Sequence, residues 1–367
     1  MTHHIAQRAL DVEMSGIRKF FQAAKPDSIV MALGQPDFDT PDHIKQAAIR
    51  AINEGKTGYT FNAGLPELRE AISRKLKTEN GIRYHPDQVI VTAGAGEALF
   101  IAIQALVNPG ERVLISDPGF VSYEACARLA GGVVDPLSLD QNLHIKVDAA
   151  IEKMKGARLL ILNSPSNPTG TVESEETIRA LVEAANDAGV TVLSDEVYEH
   201  FIYGDRHVSA ARFGEDVLTV NATSKTYAMT GWRVGYLAGH PDYIQQCLKV
   251  HQYCQTCATS ISQYAAHAAY TGDQSCVPVM RDEYRTRRDL LCNGLHDLGF
   301  DFPVPGGAFY AFVPLGKEMT KKVLDAGVVV VPGDAFGKNA DEYARFSYAT
   351  SQDNIREALK RISTVVG

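Results

Sequence analysis

At 367 residues with 45% hydrophobic side chains, the chain exceeds one typical domain and carries ample apolar surface for a buried core. Its formal charge of -8 is spread along the chain without a basic cluster, which argues against nucleic acid as a partner. No apolar run is long enough to span a membrane, the N-terminus Met1-Thr-His-His-Ile-Ala-Gln-Arg8 lacks a signal-peptide core, and six cysteines are too sparse for a disulfide scaffold, so a cytoplasmic protein is expected.

The first informative segment is Val89-Ile-Val-Thr-Ala-Gly94-Ala95-Gly96-Glu-Ala-Leu-Phe100, a strand, a small-residue loop and an apolar-periodic helix. Backbone N–H groups at such a helix start form an anion site that small residues let a phosphate approach, although Gly-Ala-Gly is also an ordinary tight turn. The strand Arg112-Val-Leu-Ile-Ser116 leads to Asp117-Pro-Gly-Phe120-Val-Ser-Tyr123, where Phe120 is placed either to stack on a flat ligand ring or to join the core. Leu160-Ile-Leu-Asn-Ser-Pro-Ser-Asn167-Pro-Thr-Gly170 is an apolar strand running into a loop stiffened by two prolines and a glycine. A rigid loop presents the Asn167 amide at a fixed point.

Thr191-Val-Leu-Ser-Asp195-Glu-Val-Tyr198 then reads as a short strand ending in a carboxylate, at the end where parallel sheets bind ligands. A buried aspartate there holds a proton on a heteroaromatic nitrogen or, more plainly, caps the next helix. Tyr198 is placed to donate to a ring hydroxyl. The run Asn221-Ala-Thr-Ser224-Lys225-Thr-Tyr-Ala-Met-Thr-Gly-Trp-Arg233 sets a lysine among small and hydroxyl side chains. A desolvated lysine sheds its proton, and a neutral amine bonds an aldehyde. Arg233 supplies a planar bidentate cation suited to phosphate. An aldehyde and a phosphate on one small molecule suggest pyridoxal 5′-phosphate (PLP).

Farther on, Cys247, His251, Cys254 and Cys257 recur at helical spacing and are expected to share a helix face. One straight helix cannot wrap four ligands around a metal, so no metal site is expected, and small buried residues near a dimer interface are the default. A helix over Val279–Leu295 is expected to link two domains. Pro305–Phe312 and Gly327–Pro332 read as strands of the smaller one.

With these segments in place, the chain resembles the class I, aspartate aminotransferase-like group of fold-type I PLP enzymes. The resemblance runs from Leu33-Gly34-Gln-Pro-Asp-Phe-Asp-Thr-Pro41 to Arg345-Phe-Ser-Tyr-Ala-Thr-Ser351. Within that group Ser15-Gly-Ile-Arg-Lys19, Phe120–Tyr123 and Asp195-Glu-Val-Tyr-Glu-His-Phe-Ile-Tyr203 look most like archaeal aromatic aminotransferases and bacterial N-acetyl-diaminopimelate aminotransferases. The resemblance implies an α/β fold: a large domain (41–285) with a mainly parallel central sheet between helices, and a smaller α+β domain (1–40 and 286–367).

It also implies roles. Lys225 would bond the cofactor aldehyde and carry the proton between substrate Cα and cofactor C4′. Asp195 would hold the pyridinium, Asn167 and Tyr198 would bond its ring oxygen, and Phe120 would stack on the ring. Gly94, Ala95, Gly96, Ser224 and Arg233 would bind the cofactor around its phosphate, joined by Tyr59 from the second subunit of a homodimer with shared active sites. Arg345 would grip the substrate α-carboxylate, helped by Asn167 and the Gly34 backbone. Ala222 departs from the Gly or Ser usual three residues before the lysine, removing one phosphate bond. Gly96 stands where some aspartate-reading relatives carry lysine.

The expected activity is transfer of an amino group from an L-amino acid of aromatic or broad class, aspartate included, to a 2-oxo acid, with 2-oxoglutarate as the usual acceptor. The alternatives are an aspartate- or N-acetyl-diaminopimelate-specific aminotransferase, a carbon–sulfur β-lyase, or a cyclopropane-forming synthase on the same scaffold. A PLP-sensing regulator is disfavoured because those relatives add a DNA-binding domain.

Overall fold

The computed structural model describes residues 4–14, 16, 25–204 and 206–366. The segment Ser15–Lys19 lies outside them apart from Gly16. Seven strands form the main sheet: β2 (Val89–Thr92), β3 (Arg112–Asp117), β4 (Val133–Ser138), β5 (Ala157–Asn163), β6 (Thr191–Asp195), β7 (Val217–Ala222) and β8 (Gly235–Ala238). Their order is β2-β8-β7-β6-β5-β3-β4, and every pairing is parallel except those of β8 with β2 and β7.

The inner strands β6 and β7 are buried along their whole length, as expected when helices cover both faces of a parallel sheet, and so is the edge strand β2. Helices Ala95–Leu106, Val121–Leu129 and Pro241–Cys254 pack apolar side chains against one face with Leu193, Leu218 and Leu237. Helices Val147–Met154 and Glu175–Ala188 cover the other, against Leu160, Val192 and Val217.

A second, antiparallel sheet has the order β11 (Val331–Pro332), β12 (Ala344–Ser347), β9 (Tyr310–Val313). A short parallel pair joins β1 (Ile29–Val30) to β10 (Val328–Val329). The N-terminal part of the described chain is thereby tied to its C-terminal part. Helix Cys276–Asp297 spans the expected linker. It packs with Gln352–Val366 around Tyr284, Leu291, Phe309 and Phe346, in a core that also takes in Tyr198, Phe201 and Ala222 from beside the main sheet.

The shared face expected for the cysteine group is not formed. Helix Pro241–Cys254 ends at Cys254, and Thr256 turns into the left-handed region at φ 67°. Cys257 therefore lies beyond the helix. Cys247 and His251 are buried, whereas Cys254 is exposed. The imidazole of His251 is occupied by Glu97 (2.7 Å) and the Asn62 carbonyl (2.9 Å).

Helix Glu175–Ala188 shows how local sequence sets an element boundary. The Ser174 hydroxyl accepts from the Thr177 N–H at 3.1 Å, and Gly189 ends the helix at φ 68°. Ser174→Ala is expected to lower unfolding free energy by about 1 kcal/mol, readable by urea denaturation, with the distant sheet edge unaffected.

Candidate active site

Parallel register brings the carboxyl ends of the strands to one edge. Asn163 pairs with Asp195, and Asp195 pairs with Val220. The loops that follow β2, β3, β5, β6 and β7 thus deliver Gly94, Phe120, Asn167, Asp195 with Tyr198, and Lys225 to a common crevice. The antiparallel partner β8 closes one flank. Gly235 at its start lies so near the loop that a Cβ would come 2.6 Å from the Ala95 nitrogen, so only glycine allows the approach.

Lys225 stands in the short helical turn Thr223–Thr226, half-buried at the crevice wall. Its Nζ donates to the Gly34 carbonyl at 2.5 Å and lies 5.8 Å from the ring centres of both Tyr198 and Phe309. Burial, with Arg345 and Arg233 adding repulsion, lowers its pKa to about 8, against the pull of Asp195. Asp195 is 3% exposed. It accepts the Tyr123 hydroxyl at 2.8 Å and the Val197 N–H at 3.3 Å. Burial outweighs both bonds and raises its carboxyl to about 6.

Tyr198 is buried, its hydroxyl 2.8 Å from that of Tyr310. Phe120 sits edge-on to Tyr123 with ring centres 5.5 Å apart. At the loop after β2, Gly94 adopts φ 80° and starts the helix Ala95–Leu106. A Cβ on Gly94 would come 2.6 Å from Nη2 of Arg233, which is exposed and donates to the Thr230 and Ala93 carbonyls at 3.0 and 3.2 Å. Gly96 faces open space, and Ser224 is buried directly before the lysine.

Arg345, on β12, reaches the same crevice from the antiparallel sheet. It is 1% exposed and stacks on the Tyr310 and Phe336 rings. Nη1 donates to Asn167 Oδ1 at 2.7 Å and Nη2 to the Ala32 carbonyl at 2.6 Å, while Nε is buried without a partner. Tyr59 is the one candidate standing apart. It is 88% exposed and lines a surface hollow with Lys56, Phe61, Ser260 and Tyr264.

Three side chains at the crevice had no role in the sequence reading. Tyr123 supports Asp195, and Tyr310 touches both Tyr198 and Arg345. Asn163 accepts from the Asn167 N–H at 2.8 Å and donates to the Asp195 carbonyl at 3.0 Å. Tyr123 was visible inside the Phe120–Tyr123 string, and the Pro305–Phe312 strand pointed at Tyr310.

These residues fit PLP. A depressed lysine, a buried carboxylate, an anion cradle that a Gly94 Cβ would fill, and an orphaned buried arginine nitrogen match an aldehyde, a pyridinium, a phosphate and a substrate carboxylate. Fold and site together define a fold-type I PLP-dependent enzyme.

Comparison with known proteins carries this to the family. The family model "Aminotransferase class I and II" matches residues 26–362, and the chain belongs to that family. It is similar to a "Probable aspartate aminotransferase" of Methanocaldococcus jannaschii (45% identical, covering 98% of this chain and 99% of the relative). It is also similar to the "Aspartate/prephenate aminotransferase" of Thermus thermophilus (39%, covering 98% and 94%). Among solved structures, the aspartate aminotransferase from Thermus thermophilus with maleate superposes with a TM-score of 0.95 at 37% identity, covering 99% of this chain and 100% of that one. The protein is a PLP-dependent aminotransferase acting on amino acids and oxo acids.

The raised Asp195 carboxyl makes a pH prediction for cofactor-free protein. Below about pH 4 the group is protonated whether the chain is folded or not, given an ordinary value of 3.8. Between there and about pH 6 only the folded chain keeps the proton, so this group's contribution to stability falls as pH rises. Asp195→Asn lacks the effect. Relative to the native chain it should gain about 2 kcal/mol between pH 4 and pH 7 in urea denaturation, whereas a constant difference would show that burial does not perturb Asp195.

Proposed function

We propose that this aminotransferase takes its amino group from an L-amino acid of aromatic or broad class, aspartate included, and passes it to 2-oxoglutarate. One observation carries the reading: the Lys225 amine and the Arg345 guanidinium face one crevice from two different sheets, with Asp195 buried beneath. A single carboxylate clamp then serves donor and acceptor alike. Aspartate is kept because the Methanocaldococcus jannaschii and Thermus thermophilus relatives carry aspartate in their names.

When bound, the cofactor supplies an aldehyde for the amino group and an electron-poor ring that stabilises the charge left at the substrate Cα. Lys225 Nζ, neutral above about pH 8 in the free chain, would hold the cofactor aldehyde and serve as the base that takes and returns the substrate Cα proton. Asp195 holds the proton on the ring nitrogen, with Tyr123 fixing the carboxylate. Tyr198 and Asn167 donate to the ring oxygen, and Phe120 covers the ring. The backbone of Gly94, Ala95 and Gly96, with Ser224 and Arg233, takes the phosphate at the helix start. Arg345 and the Gly34 backbone hold the substrate carboxylate.

Residues 41–285 form the large domain in this reading, and 1–40 with 286–367 the small one. The pairing of β1 with β10 supports the division. A homodimer is inferred, with Tyr59 completing the partner's phosphate site. The exposure of Tyr59, Phe61 and Tyr253, at 88%, 69% and 91%, supports a face that a second copy covers. Free cysteines agree with a cytoplasmic enzyme, and no helix among the described residues is long and apolar enough to cross a membrane.

Lys225→Ala is expected to cut transamination by at least about 10⁴-fold while leaving a folded protein that binds PLP weakly. Retained turnover would sink the assignment. A half-reaction screen with single L-amino acids, followed by cofactor absorbance, ranks the donors. Conversion only with N-acetyl-diaminopimelate would support the narrow alternative, and pyruvate release from cystathionine without an oxo acid the lyase one.

Arg345→Lys keeps the charge but loses the fork. It should lower kcat/KM for every donor by roughly tenfold to hundredfold, mainly through KM, in steady-state assays.

A further inference from the structure

Behind the crevice lies a buried charge that the reaction does not use. Lys75 and Glu199 form an ion pair with side chains only 4% and 5% exposed. Burial pushes the Glu199 carboxyl up, but Lys75, His200 and His207 together outweigh it and hold the group well below the usual carboxylate range. Replacing a buried pair by apolar side chains is often neutral or stabilising, so stability alone is a weak reason for this one.

Its contacts suggest another. Asn80 accepts from Lys75 at 2.7 Å and donates to Glu199 Oε2 at 2.7 Å. Asn221 donates to Glu199 Oε1 at 2.6 Å and accepts the Ala222 N–H at 2.7 Å. His200 Nδ1 lies 3.0 Å from the Thr226 hydroxyl and its Nε2 3.0 Å from Glu79. Asn221 and Thr226 bracket Lys225 in the chain, while Glu199 and His200 directly follow Tyr198. One network therefore bolts the lysine segment to the Asp195–Tyr198 segment at two points.

The opposite wall of the network is built for the purpose. Helix Pro66–Lys75 continues into a single π-helical turn, Leu76–Asn80, closed by Gly81 at φ 72°. Such wider turns recur at functional sites. Here the turn supplies both Glu79 and Asn80 to the cluster. Glu196, Glu199 and His207 lie within 4.8 Å of one another, which resembles a cation site. Yet the Glu199 oxygens are taken by Lys75, Asn80 and Asn221, and Glu196 accepts from Ser194, Ser209 and the Ala210 N–H.

We propose that Glu199, held by Lys75 and Asn80 and supported by His200, is a positioning residue for Lys225. It fixes the turn Thr223–Thr226 against the Asp195–Tyr198 segment, and so sets where the amine meets the substrate Cα. The proposal rests on the reading of Lys225 as the proton carrier.

The test uses holoenzyme with Glu199→Gln and, separately, Thr226→Val. A glutamine presents an N–H₂ to one of three donors, so it breaks the network. Valine removes only the His200 link and leaves no buried charge unpaired, so it keeps the proposal testable where Glu199→Gln fails to fold. In single-turnover half-reactions with the best donor, Glu199→Gln should lose about tenfold to hundredfold in rate and Thr226→Val a smaller factor in the same direction. Donor KM should stay within about threefold, because Arg345 is untouched. The pH midpoint of the bound cofactor's absorbance, which reports the lysine linkage, should move in both variants.

Native rates and midpoint in folded Thr226→Val and Glu199→Gln would overturn the proposal. So would a loss confined to thermal stability. Lys225→Ala runs alongside: turnover in that variant sinks the reading of the lysine itself, whereas an inactive Lys225→Ala beside fully active network variants sinks only the positioning role.

Discussion

Everything at the crevice depends on two opposite charges sharing one desolvated pocket without pairing. Lys225 is turned to the Gly34 carbonyl and Asp195 to the Tyr123 hydroxyl. Burial moves both groups toward neutrality, the amine to about 8 and the carboxyl to about 6, because desolvation exceeds their mutual attraction. A direct ion pair would have locked the amine in its protonated, unreactive form. Keeping the two apart costs stability, and in the proposed reading a cationic ring nitrogen beside Asp195 would offset that cost. The strand register supplies the separation: Asp195 ends β6, and Lys225 lies three residues past the end of its neighbour β7.

Sequence reading reached the motif residues because each sits just after an apolar run that ends at the same sheet edge. Gly94, Asn167, Asp195 and Lys225 follow β2, β5, β6 and β7, so strand pattern alone orders them. What it missed are supports whose partners are remote in the chain. Tyr123 meets Asp195 across 72 positions and Lys75 meets Glu199 across 124, and no local periodicity records such pairs. The error over Cys257 is of another kind. The helix stops at Gln255 and Thr256 without a glycine or proline to announce it, so a spacing that looked helical was continued past its end. Tyr59 marks a further limit, since a residue whose proposed role lies on a second copy has no explanation within one chain.

The three supports share a physical logic. Asn163, Tyr123 and the Glu199 network satisfy polar groups at the ends of neighbouring strands, where the ladder stops and backbone and side-chain donors would otherwise be buried unpaired. Asn163 binds the backbone of the loop after β5 and of the end of β6 at once, and Glu199 gathers three donors from three segments. Satisfying these groups and rigidifying the crevice are therefore one operation. Networks of this kind are least tolerant of partial loss, because each removed member leaves a buried partner exposed to its full desolvation penalty.

Arg345 places a different demand on the fold. Its guanidinium is anchored by Asn167 from the main sheet and by the Ala32 carbonyl from the chain entering that region, yet it is carried on β12 of the antiparallel sheet. Stacking on Tyr310 and Phe336 fixes the plane of the fork, and Tyr310 in turn reaches the Tyr198 hydroxyl. The plane, two of the donors and the neighbouring tyrosines are thus set before a substrate arrives, with Nε left over. In the proposed reading the α-carboxylate would act as the common handle for donor and acceptor, leaving side-chain discrimination to surfaces farther from Arg345. That division of labour would let one crevice accommodate two different substrates in turn.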